Sequence, residues 1–163
     1  MDAEEWIAQA LATWRRHNEI LLYLLESTPE GGLEARPAGS RGRDVARQFA
    51  HLHRVRLGWL HYHATGEKAR LPRYHKGPPP SREELHEWLA DSGARVENWL
   101  GKALRGEVRP RLFGHQPLRW MAYLIAHESH HRGQIVLALK QSGMRLPEKV
   151  AVRGLWGKWV YGK

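Results

Sequence analysis

Apolar residues recur at intervals of three and four through four stretches of the chain, the spacing that lines them along one side of an α-helix. In the first, from Ala3 to Leu25, the stripe is Trp6, Ile7, Ala10, Leu11, Trp14, Leu21, Leu24 and Leu25, and the chain then meets Pro29 and Gly31-Gly32. A second stripe, Val45, Phe49, Leu52, Val55, Trp59 and Tyr62, predicts a helix from Asp44 to His63, with Asp44 placed to cap the free amides of the first turn. Ser81-Arg82-Glu83-Glu84 has the spacing of a capping box, ahead of a third helix that ends near Leu104. Its inward face is Leu85, Trp88, Leu89, Val96, Trp99 and Leu100. The fourth runs from Pro117 or Leu118 to Ser142, with proline suited to the first turn and Gly143 to the C-terminal cap.

Between these stretches the chain is rich in Gly and Pro. The segment from Gly66 to Pro80, with KGPPP, reads as a loop, and GEVRPRLFGHQP leaves room for no more than a short extended piece at VRPRLF. The Trp-rich C-terminal tail is expected to pack on the helices through Leu155, Trp156 and Trp159. The length, 163 residues, suits one domain, and no repeat divides it. The pattern therefore predicts a single all-α domain over residues 1–163, a four-helix bundle with long connecting loops.

Composition narrows the chemistry. There is no Cys, so disulfides, a cysteine nucleophile and thiolate metal sites are excluded, and any metal must be held by His, Asp or Glu. The first residues, MDAEEWIAQA, are acidic where a signal peptide is basic, and no run approaches the roughly 18 apolar residues of a membrane span. A cytoplasmic protein without membrane attachment is expected. The net charge of +9 favours weak attraction to nucleic acid, but the basic residues are dispersed and not interleaved with aromatics, so a solvated basic surface is the preferred reading. The eight Trp fall mostly at helical core positions and read as packing, not as platforms for bases.

The candidate chemistry lies in the fourth helix. His127-Glu128-Ser129-His130-His131 matches H-E-x-x-H, and residues four apart share a helix face, so His127 and His131 can chelate one ion while His130 is turned aside. A metalloprotease would use Glu128 as general base and take a third ligand downstream. After His131 there is no His, and the only carboxylate is Glu148 in the tail, so the protease reading is set aside. The third ligand is sought upstream in AHLHRVRL, where His51 and His53 face different directions and periodicity favours His51 only slightly. Glu128, about 100° around the helix from His127, is read as a surface carboxylate in preference to a proton acceptor. Gln134, one turn beyond His131, can orient that ring or finish the polar end of the core. His17, His61, His63, His75, His86 and His115 show no ligand spacing; at the end of the second helix, His61 and His63 suit the helix dipole as cations.

Taken together, HESHHRGQI after a hydrophobic helix and the upstream stretch AHLHRVRLGWL resemble the DinB/YfiT-like superfamily of four-helix-bundle metalloproteins. The likeness is strongest over Gln48 to Leu60 and Ala126 to Gly143. It implies a three-histidine site of His51, His127 and His131, with His51 in the position the family's motif gives a ligand. It further implies a divalent metal, nickel or zinc, with water in the open positions, and a homodimer. The better-characterised relatives activate a low-molecular-weight thiol such as bacillithiol or mycothiol, so a metal-dependent thiol S-transferase acting on a small-molecule substrate is expected. The alternatives are a metal-dependent hydrolase, and a non-enzymatic helical or nucleic-acid-binding dimer with a structural metal.

Overall fold

In the computed structural model, which describes residues 2–39, 41–72 and 77–162, the first three long helices begin at side-chain caps and the fourth at a proline. Helix α1 (Ala3–Glu26) opens with a reciprocal capping box: the Glu5 amide donates to Asp2 Oδ1 at 2.9 Å and the Asp2 amide donates to Glu5 Oε2 at 2.8 Å. Asp44 caps α2 (Val45–Thr65) by accepting from the Arg47 amide at 2.8 Å, and Ser81 with Glu84 boxes the start of α3 (Arg82–Leu104). Pro117 opens α4 (Pro117–Gln141). That helix closes in a Schellman turn, with the Met144 amide bonded to the Leu139 carbonyl at 2.9 Å and Gly143 at φ 76°. Each such cap is worth about 1 kcal/mol, which is why the helix ends follow the local sequence so closely.

All regular elements among the described residues are helical. The extended piece expected at VRPRLF is therefore corrected: the chain turns there through Phe113–His115, where Phe113, Gly114 and His115 have φ of 57°, 61° and 62°. The loop expected from Gly66 to Pro80 contains Arg73 to Lys76, His75 among them, which lie outside the described residues. No helix of the described residues is long and apolar enough to cross a membrane.

Helices α1 and α2 each pack on α3 and on α4, and α3 also meets α4, an arrangement compatible with a four-helix bundle. Two apolar clusters fill the interior. One gathers Ile20 to Leu25, the first half of α2, Leu85, Leu89 and the last turns of α4; the other gathers Trp14, Val96, Leu100, Trp120, Met121 and Leu124. Between them lies a polar layer to which the four long helices bring His17, Arg56, Ser92 and Glu128, all buried. The Arg56 guanidinium donates to both Glu128 oxygens at 2.7 Å, to Asn18 Oδ1 at 2.8 Å, to the Leu89 carbonyl at 3.0 Å and to Ser92 Oγ at 3.4 Å. His17 Nε2 meets Glu128 Oε2 at 2.8 Å. A buried charge is tolerated when it is paired and its remaining donors are satisfied; the Arg56–Glu128 pair meets both conditions, while the buried Nδ1 of His17 has no hydrogen-bond partner among the described residues.

After α4 the tail forms a π-helical turn, Lys149–Gly154, and a short helix α5 (Gly157–Tyr161). Its backbone lies directly on α1, since a Cβ at Gly154 would fall 2.2 Å from the Tyr23 ring. Leu155 is buried and Trp159 packs against the core, as the tail was expected to do. Trp156 does not: it points outward, 62% exposed, with the Arg132 guanidinium 5.8 Å from its ring centre. Trp6 is a second correction. Placed in the α1 stripe by its spacing, it is 60% exposed and only borders a groove with Leu118 and Met121.

Candidate metal centre

His127 and His131, one turn apart on α4, face His51 on α2. The ring centres lie 5.3 Å (His51–His127), 4.9 Å (His51–His131) and 4.8 Å (His127–His131) apart. One ring nitrogen of each can be chosen so that all three lie within 4.8 Å of one another, a group that could hold a metal ion. Imidazole nitrogens suit zinc, nickel, copper and iron, and three of them leave coordination positions open. The buried Nδ1 of His127 has no hydrogen-bond partner among the described residues. A polar atom left so is costly in a protein interior, and the fit to a cation is correspondingly good.

The surroundings keep these rings unprotonated. Burial, then the Arg43 charge and the two neighbouring imidazoles, with Arg54 after them, push His51 down to about 3. Burial and the rings of His127 and His130, followed by Arg43, bring His131 to about 4, and burial lowers His127 against the opposing pull of Glu128. At neutral pH all three therefore present the neutral imidazole that ligation requires. Gln48, buried one turn before His51, accepts from His131 Nδ1 at 3.2 Å. That bond fixes the ring and leaves the unprotonated Nε2 with its lone pair free to ligate a cation.

His53, on the other side of Leu52, turns to α3: its Nδ1 donates to the Trp88 carbonyl at 2.8 Å and its ring stacks on Trp88. Geometry thus brings His51, and not His53, to the two histidines of α4. Gln134 bonds to His130 Nε2 at 2.9 Å and not to His131. The residue that orients His131 is Gln48, whose only sequence signal is a polar side chain one turn from His51.

Glu128 corrects the reading of a surface carboxylate. It is 1% exposed, and although burial alone would raise its pKa, the Arg56 charge and hydrogen bonds, with His17, hold it down to about 2. His63 is also corrected, since no cation sits there: it is buried among Trp59, Trp99 and Trp120, and burial, with Arg111 nearby, lowers it to about 4.

Two cavities flank the cluster. One, of about 300 Å³, is lined by His131, Gln48, Arg43 and Gln134. The other, of about 450 Å³, is lined by none of the three histidines and is separated from them by Tyr123, whose ring stacks on His127 at 5.9 Å. The model of the DinB family matches residues 2–158. No curated protein matches the chain.

Proposed function

The chain belongs to the DinB family, and from that membership and its three-histidine cluster we propose that it is a divalent-metal-dependent enzyme that transfers a low-molecular-weight thiol to a small-molecule substrate. His51, His127 and His131 would hold the ion, nickel or zinc. The observation that carries this reading is the meeting of three neutral imidazoles from two helices, with donor atoms within 4.8 Å. When bound, such an ion lowers the pKa of a coordinated thiol or water, because neutral ligands leave its charge uncompensated.

The protein's own groups define the rest of the chemistry. Gln48 holds the His131 ring, and Arg43 adds positive charge beside the histidines, which favours an anionic sulfur. In the transfer, the sulfur forms a bond to an electrophilic carbon of the substrate, the leaving group departs with its electron pair, and the thiol proton passes to solvent. Glu128 is not the acceptor of that proton. It is buried, bonded to Arg56 and His17, and held too acidic to serve as a base near neutral pH.

The test is turnover of an activated aryl halide with a panel of low-molecular-weight thiols, using metal-reconstituted, chelator-treated and His131→Ala protein. Thioether formation that needs both metal and His131 is the expected result. Turnover of ester or amide substrates without thiol would replace the transferase by a hydrolase, and equal rates in all three preparations would refute a metal-dependent reaction.

A further inference from the structure

One turn along α2 from His51, between that helix and Tyr123 of α4, lies the cavity of about 450 Å³. Trp59, Tyr62 and Tyr123 give it aromatic walls, while Arg54 and Lys68 give it positive charge. Among the described residues no carboxylate lines it. The cavity is thus largely apolar and aromatic with positive charge at its wall, the composition of a small-molecule site with one orienting charge.

Gly58 adds an independent observation. It lies inside α2 and lines the cavity, although glycine is disfavoured within a helix. Neither conformation nor crowding requires it: its φ is not positive, and an added Cβ would meet only Leu71 Cδ1 at 3.9 Å, an ordinary contact. What the absent side chain leaves is room. On the opposite wall, Leu112 leads into the turn where Phe113 and His115 hold positive φ, a conformation non-glycine residues adopt at a cost. The turn seats Phe113 against Trp59 and Tyr123, with ring centres 4.9 Å and 5.2 Å away.

We propose that this cavity binds the second substrate of the reaction, a molecule with a flat aromatic group between Trp59, Tyr62 and Tyr123 and a carboxylate held by Arg54 and Lys68. The proposal rests on reading the histidine cluster as the reactive centre; the Tyr123 ring, which lines the cavity, stacks on His127 and so stands between the two. Carboxylate and guanidinium form charge-assisted hydrogen bonds, so the acid should bind at least about tenfold more tightly than its neutral amide.

Calorimetric titration with 2-naphthoate and 2-naphthamide tests this, in both metal-supplemented and chelator-treated protein, with metal content measured separately. The wild type should bind the acid more tightly than the amide in both preparations. Arg54→Gln should erase the difference between acid and amide, and Gly58→Leu should abolish binding of both. Gly58→Ala should weaken binding while raising Tm, which separates loss of room from loss of fold. Equal affinity for acid and amide, or binding untouched by Arg54→Gln and by Gly58→Leu, would overturn the proposal. Because the chelator-treated protein is included, a failed metal reading appears in the metal content and not in these affinities.

Discussion

Replacing Glu128 by Gln removes one charge from the polar layer and changes almost nothing in shape. The Arg56 guanidinium, fully shielded from solvent, would keep its charge and lose its counter-ion. Breaking a buried ion pair by removing one partner costs about 3–5 kcal/mol. Against the opposing pull of burial, the Arg56 charge and hydrogen bonds hold the Glu128 pKa below its ordinary 4.5, so its stabilisation is present above pH 4.5 and is lost as pH falls toward 2. For a chain of this size a loss of about 3–5 kcal/mol should lower Tm by about 6–20 °C. Urea unfolding followed by circular dichroism at pH 7 measures the effect, and the apolar double variant Glu128→Leu with Arg56→Met should recover part of the loss. A change within about 1 kcal/mol in Glu128→Gln, accompanied by loss of activity, would refute a structural carboxylate and return Glu128 to the role of base.

Gln48→Ala should weaken metal affinity by about 10–100-fold while the protein stays folded, measured by competition with a chromophoric chelator; unchanged affinity would show that Gln48 does not orient His131. His63, lowered to about 4 in the fold and near 6.5 when unfolded, takes up its proton first in the unfolded chain. Stability is therefore unaffected by this group above pH 6.5 and declines as pH falls from 6.5 toward 4. His63→Leu should flatten that limb of the stability profile, and an unaltered slope would contradict a buried neutral His63.

The helix ends were legible because their causes are local: Asp44, the Ser81–Glu84 box, Pro117 and Gly143 each act within one turn. The polar layer was not, although its residues keep the register of the apolar stripes. His17 falls between Trp14 and Leu21, Arg56 between Leu52 and Trp59, Ser92 between Leu89 and Val96, and Glu128 between Leu124 and Ile135. Periodicity treats a polar residue in a stripe as a gap, and whether it can be buried depends on distant partners. Glu128 is 72 positions from Arg56 and 111 from His17. The same reasoning applies to His51 and His53, which flank Leu52 symmetrically; what separates them is the Trp88 carbonyl on α3, which occupies His53. Trp6 and Trp156 show the converse, since a large apolar side chain is buried only where a neighbouring element covers it. The pair His127 and His131 was legible because spacing within one helix decides it.

The central claim is that His51, His127 and His131 hold a divalent ion, and metal analysis of untagged protein tests it most directly. Wild type, His51→Ala, His53→Ala, His127→Ala and His131→Ala would be reconstituted and assayed for bound metal. About one equivalent of nickel or zinc in the wild type and in His53→Ala, lost in the other three, is the predicted result. Absence of metal from reconstituted wild type, or its retention in His51→Ala and His131→Ala, would contradict the account.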